Sequence, residues 1–350
     1  MSFVSSKILA GVGLLTAILA VGWWGYACQR QRSQTVLDEL TQKVRWEGPW
    51  YYRVAKQTHT VQFLHRRVLK GSWLLHQISL TRLEAVQALS RMGTNAWPAV
   101  PALVTTTMHK DLSIGVPAAE ALVGIKAEEC PEWVRLRKGL AGQTMAAMTF
   151  RYLVVGNNIT GISYDLAHRR FGLLGLAATG PAAAVAYGDI VEILRFSNES
   201  ELRFWAVVAL GGMGAEKRET LPVLKKVLQD PEEWPNVRAA AAQALVNVAP
   251  KDEETRVLLQ QMLQDPRAAV RLGAARALWK ANGTAEQILA VLTPLLGHRL
   301  ATIRAGALEG VSEMGKAALG SKPEVERLLS DENETVRRAA TAVLKSLAGQ

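Results

Sequence analysis

The stretch "DPRAAVRLGAARAL", Asp265 to Leu278, holds five alanines and three arginines and no residue suited to nucleophilic chemistry. Its Val270-Arg271 step recurs as Val237-Arg238, Ile303-Arg304 and Val336-Arg337, with the arginines 33 residues apart each time. Leu202-Arg203 stands 35 residues before Arg238, and His168-Arg169 stands 34 before Arg203. Further back Thr81-Arg82 fits, and Ile114-Gly115 fits with glycine in the arginine column.

Other columns agree. Three residues after the arginine every copy is small: Ala85, Ala118, Gly172, Ala206, Ala241, Ala274, Ala307 and Ala340. Six on, seven of the eight copies are Ala or Gly, and seven on come leucines or a valine, from Leu89 to Leu344. Small residues at these offsets share one helix face and let a neighbouring helix approach, while the aliphatic positions complete an apolar stripe. Eleven on stand Gly93, Gly180, Gly214, Gly315 and Asn282, the residue types that adopt the left-handed backbone ending a helix. Asp230-Pro231 and Asp265-Pro266 read as a helix cap followed by a first-turn proline. Thr81 and Glu84 have capping-box spacing.

A second helix fills each period, as in Thr220–Gln229, Glu254–Gln264 and Ala285–Leu296. Leu221, Leu224, Val227 and Leu228 make its apolar stripe and leave Lys225 and Lys226 outward. A two-helix unit of about 33 residues cannot bury its own apolar face, so neighbours must stack. The expected fold is all-α: a right-handed α-solenoid of about eight two-helix repeats over 81–350.

The Asp…Val-Arg-x-x-Ala-x-x-Ala-Leu phrase, with Gly four residues later, resembles the HEAT-repeat family, in the short-period bacterial type also found in phycobilisome-lyase-like proteins. The resemblance implies a stack whose second helices line the concave face and which holds other proteins. It implies a structural ladder of aspartates and arginines bonded between neighbours: Asp230 with Arg238, Asp265 with Arg271, Asp331 with Arg337, alongside Arg82, Arg169, Arg203 and Arg304. Lys225, Lys226, Gln260 and Gln261 are the candidate partner-facing residues. The pattern fails between Gly115 and Arg169, a step of 54, where 127–165 is an insertion or an eroded repeat and the first choice for specialised binding. Met145, Met148 and Phe150 within it read as core.

Ahead of the repeats, Ile8 to Cys28 is uncharged for 21 residues and ends in Trp23, Trp24 and Tyr26. About 20 apolar residues span a bilayer core, so a single transmembrane anchor over 1–28 is expected, with signal cleavage after Ala27 as the alternative. Residues 1–80 carry ten Lys/Arg against three acids, and the remaining 270 carry 31 against 28. Seven of the ten excess positive charges thus sit beside the apolar segment, which suits a membrane surface better than a nucleic-acid face. The flanking arginines and a short N-terminal tail point to opposite orientations, and the side of the solenoid stays open. Residues 29–80 form a basic, aromatic juxtamembrane segment, with Val36, Leu37, Leu40 and Val44 on one helical face.

None of the six histidines has metal-ligand spacing, and no phosphate-binding loop, nucleophile elbow or dinucleotide fingerprint is present. The expectation is a non-enzymatic, membrane-tethered scaffold for protein partners, without cofactor or metal. The alternatives are a bilin lyase-like enzyme or accessory and a nucleic-acid-binding solenoid.

Overall fold

The computed structural model describes residues 34–45, 83–109, 112–155, 164–214 and 219–347. The expected anchor at 8–28, the capping box at Thr81, Arg82 and most of 29–80 lie outside them. All regular elements among the described residues are helical, and the chain divides into two compact units, 1–136 and 137–350.

In the first unit, α1 (34–45) buries Leu37 and Val44 but leaves Val36 exposed. Helix α2 (83–91), α3 (Val100–Thr107), α4 (Leu112–Gly124) and α5 (Pro131–Leu136) follow. Ala85, Leu89, Ala118 and Leu122 are buried as the columns require. The Trp97 indole N–H donates to the Ile125 carbonyl at 2.9 Å, tying the end of α4 back to the turn before α3.

The second unit contains α6 (Thr144–Val155), α7 (Leu166–Thr179), α8 (Tyr187–Phe196), α9 (Ser200–Gly212), α10 (Thr220–Gln229) and α11 (Pro235–Val248). It continues with α12 (Glu253–Met262), α13 (Ala268–Lys280), α14 (Ala285–Leu296), α15 (Ala301–Met314), α16 (Lys322–Arg327) and α17 (Glu334–Leu347). It is an α-solenoid. Helices α7, α9, α11, α13, α15 and α17 carry the arginine column and pack directly on one another, and the second helices sit between them in sequence. Ala206, Ala241, Ala274, Ala307 and Ala340 are all buried in that layer, as are Leu176, Leu210, Leu245, Leu278 and Val311. A Cβ on Gly273 would lie 2.7 Å from the Ala239 Cα, and one on Gly212 would lie 2.7 Å from the Ala177 carbonyl oxygen. The small residues are therefore the condition for this spacing.

Successive second helices stand further apart, with open grooves between α8 and α10 and between α12 and α14. Within this unit the closely packed layer is therefore the arginine-bearing one.

Two local expectations change. Gly93, Gly180, Gly214, Gly315 and Asn282 all have positive φ as expected. At Gly180 and Gly315, however, ψ is near −130°, a region open only to glycine, and the chain passes directly into a 3-10 turn rather than a left-handed cap. Asp230 and Asp265 do not cap helices. Helices α11 and α13 begin at Pro235 and Ala268, and each aspartate instead accepts the backbone N–H two residues on, from Glu232 at 3.0 Å and Arg267 at 2.9 Å.

The described part of the break in the repeat is largely helical. Helix α6 runs against α7, with the Phe150 ring edge-on to Phe171 at 6.1 Å and the Arg169 Nε donating to the Val154 carbonyl. That is the position of a second helix. Ahead of it, α5 runs directly into a 3-10 turn, Arg137–Leu140. Trp133, Leu140, Phe150 and Leu153 are fully buried, while Met148 is exposed; residues 156–163 lie outside the described ones. These apolar side chains go to the core, whereas most other described residues of the interruption are exposed or half-buried.

One stretch among the described residues is long and apolar enough to cross a membrane, Leu166–Phe196. It is α7, a 3-10 turn and α8, and half of it is buried in the unit, so its apolarity follows from repeat packing.

Candidate functional site

The arginine column does two things at once. Its Nη1 reaches back to backbone carbonyls at the end of the preceding helix or in the turn that follows it. Arg203 donates to the Leu194 and Ser197 oxygens, Arg271 to Asp265 and Pro266, Arg304 to His298 and Arg299, and Arg337 to Asp331 and Glu332, at 2.6 to 3.3 Å. These carbonyls lie where helical bonding has run out, so the guanidinium satisfies acceptors that would otherwise be orphaned.

The other edge of the guanidinium reaches forward to the next repeat. Arg304 clamps Asp331 through Nε and Nη2, each at 2.7 Å. Arg203 Nε donates to both oxygens of Glu233 at 3.1 Å, and Nη2 adds a further bond to that carboxylate. Arg238 turns the other way round: Nε takes the Leu228 carbonyl and Nη1 meets Asp265 at 2.8 Å. The aspartates thus pair with the arginine 27 residues before them. Asp265 and Asp331 present only their backbone carbonyls to the arginine six residues on, and Asp230 makes no ion pair among the described residues. The carboxylate of Asp265 is divided between its own turn and Arg238. Arg304 holds the Asp331 carboxyl below its ordinary value, with the turn N–H of Asn333 adding to the effect.

Two surfaces flank this ladder. On the arginine-bearing helices a depression of about 360 Å³ has a floor of Ala240, Ala244 and Gly273, and Phe204, Asn236 and Asn247 stand around it. It is bounded by a side-chain network: Gln243 Nε2 donates to the Gly273 carbonyl at 3.0 Å, and Lys280 donates to Gln243 Oε1 at 3.0 Å. Beside them Arg276 bonds Glu313 and Glu309 of α15 at 2.6 and 3.0 Å. These residues fall five and nine positions after the arginine, as Gln243, Arg276 and Glu309, and as Asn247, Lys280 and Glu313. The sequence reading passed over them. Their signal is a polar residue recurring at fixed offsets on an alanine-rich helix.

On the second helices lie the grooves with an arginine at their floor. Lys226 is exposed there, beside Arg203 and Asp230. Lys225 is turned into the structure, bonded to Asp252 at 3.0 Å and Glu254 at 2.5 Å of the next repeat. Gln260 lines the groove between α12 and α14, and Gln261 is exposed beside it. Among the described residues no cluster of three or more histidine, cysteine or acidic side chains could hold a metal ion. Cys130 is buried.

The HEAT repeats family model matches residues 189–279 and 255–345. No curated protein matches the chain. Among solved structures, the complex of CpcE and CpcF of phycocyanin lyase from Nostoc sp. PCC7120 is 17% identical, covering 71% of this chain and 94% of that chain with a TM-score of 0.41. Human deoxyhypusine hydroxylase in complex with glycerol is 14% identical over 78% of this chain and 99% of that one, with a TM-score of 0.36. Kap121p is 13% identical over 90% of this chain and 45% of its own, with a TM-score of 0.39. The period, the buried small-residue columns and the family match agree on one statement: over residues 189–345 the chain carries HEAT repeats.

Proposed function

We propose that this protein is a non-catalytic scaffold, tethered to a membrane by residues 8–28, whose solenoid holds an extended segment of a protein partner across the arginine-bearing helices. The observation that carries this reading is the depression over Ala240, Ala244 and Gly273. Small side chains there leave room for another backbone to approach, Phe204 offers apolar area, and Asn236 and Asn247 offer both donors and acceptors for peptide groups. The paired acids and bases along its border fix its walls without leaving a strong net charge, which suits a peptide better than a phosphate backbone.

The test uses the full-length chain in its own cells with a photo-crosslinking residue in place of Asn247. A discrete adduct with a protein is expected there, and none at Val185, which is exposed in the 3-10 turn before α8. Equal or absent adducts at the two positions would refute the binding face. Protease protection of the solenoid in sealed vesicles, with release on detergent treatment, tests the tether and its side; a chain that stays in the soluble fraction overturns it.

A further inference from the structure

Arg271 stands in the ladder with the same pose as Arg304 but without an acid to meet. In both, Nη1 donates to two turn carbonyls; for Arg271 these are Asp265 at 2.8 Å and Pro266 at 3.0 Å. In Arg304 the opposite Nε/Nη2 edge holds Asp331. Twenty-seven residues after Arg271 stands His298. Its Nδ1 accepts the Leu300 N–H at 3.1 Å, the same turn bond that Asp331 makes with Asn333 at 2.8 Å and Asp265 with Arg267 at 2.9 Å. The histidine keeps the turn and omits the carboxylate. Among the described residues Arg271 makes no ion pair, and its two carbonyls are its only hydrogen-bond partners. Arg169 also lacks an acid, but its Nε is occupied by the Val154 carbonyl.

Arg271 lines a groove of about 340 Å³ between α12 and α14, where Gln260, Gln264 and Gln287 line the wall and no acidic residue does. The equivalent groove two repeats earlier is lined by both Asp230 and Glu233. A planar guanidinium edge with two parallel N–H groups matches a carboxylate, and glutamine amides supply further donors.

We propose that Arg271, with Gln260, Gln264 and Gln287, is a binding site for the carboxylate of an aspartate or glutamate side chain on a protein partner, which takes the place that Asp331 fills one step along. The carboxylate chemistry stands on the ladder alone. That the carboxylate belongs to a protein rests on the scaffold reading; a peptide that binds here while no partner is crosslinked at Asn247 fails that reading and leaves this one.

The experiment titrates the full-length chain with acetyl-Gly-Glu-Gly-amide, its Gln counterpart and inorganic phosphate. The Glu peptide is expected to bind weakly and the Gln peptide at least about tenfold more weakly, a difference of one ordinary charge-assisted contact. Arg271→Gln should remove the preference. His298→Asp should remove it as well, by supplying the carboxylate within the chain, and should raise the thermal midpoint. His298→Asn, which can keep the turn bond without charge, should retain it. No binding of the Glu peptide, equal binding of the two peptides, unchanged binding in Arg271→Gln or His298→Asp, or loss of binding in His298→Asn would each overturn the proposal. Tighter binding of phosphate than of the Glu peptide would overturn the carboxylate assignment.

Discussion

The groove at Arg203 and the groove at Arg271 are made by the same pair of elements two repeats apart, yet only the first is electrically complete. Arg203 gives Nη1 to the carbonyls behind it and Nε and Nη2 to Glu233 ahead. Arg271 makes the first set of bonds and not the second. The comparison separates two roles that a single arginine column hides. Backward bonds finish the turn within a repeat; forward bonds join one repeat to the next. A repeat can give up the forward bond and keep its fold.

The largest expected effect follows from the burial of the forward pairs. Arg238 and Asp265 have side chains only 5% and 6% exposed. Asp265→Ala leaves the guanidinium buried without its counter-charge, and stability should fall by about 3–5 kcal/mol, read from the denaturant midpoint. Arg271→Ala removes only backward bonds to carbonyls and should cost about 1–2 kcal/mol. Equal losses in the two variants would break the distinction between the roles.

Spacing between layers predicts the next effect. Gly273→Ala places a methyl 2.7 Å from the Ala239 Cα, where the backbone of α11 would have to move, at about 1–3 kcal/mol. Gly188, in α8 of the open layer, has nothing within 4 Å of an added Cβ, and Gly188→Ala should stabilise by up to about 1 kcal/mol. Thermal midpoints moving in opposite directions would support the assignment of close and open layers; a loss in both would remove it.

Much of this was legible in the sequence, and the limit has a physical form. The small and aliphatic columns after each arginine could be read because one helix face repeats them within eleven residues. The ladder partner could not. Asp265 and Arg271 are six residues apart and share a turn, so local pattern joins them, whereas the carboxylate serves Arg238, 27 residues earlier. Which of two neighbours a charge faces depends on how repeats stack, and no single repeat contains that fact. The same holds for 127–165, where the letters lose the period although α6 still packs along α7. The polar positions five and nine residues after the arginine were visible as letters. They became a surface only when helices α11, α13 and α15 aligned them.

The steps also differ in their response to acid. Asp331 titrates below the ordinary carboxylate value near about 3.9 because Arg304 and the turn N–H of Asn333 favour its charged form. A depressed folded-state value means its contribution is complete above the unfolded value and is lost as pH falls through the folded one. Stability of the native chain should therefore drop more steeply than that of Asp331→Asn below about pH 4, measured by denaturant unfolding at a series of pH values. An unchanged acid limb in Asp331→Asn would mean that the acid sensitivity arises elsewhere.

The smallest effect is expected at Lys225, although its contacts look as close as those of the ladder. It meets Asp252 at 3.0 Å and Glu254 at 2.5 Å across the boundary between two repeats. The difference lies in what each partner loses. Glu254 is 79% exposed and can return to water. Asp252 remains bonded to the backbone N–H and hydroxyl of Thr255 at 2.9 and 2.6 Å, capping α12 whether or not the lysine is present. Removing Lys225 strands no charge, so Lys225→Ala should cost below about 1 kcal/mol and less in high salt. A loss comparable to Asp265→Ala would show that joining adjacent repeats, rather than burying an arginine, is what the ladder contributes.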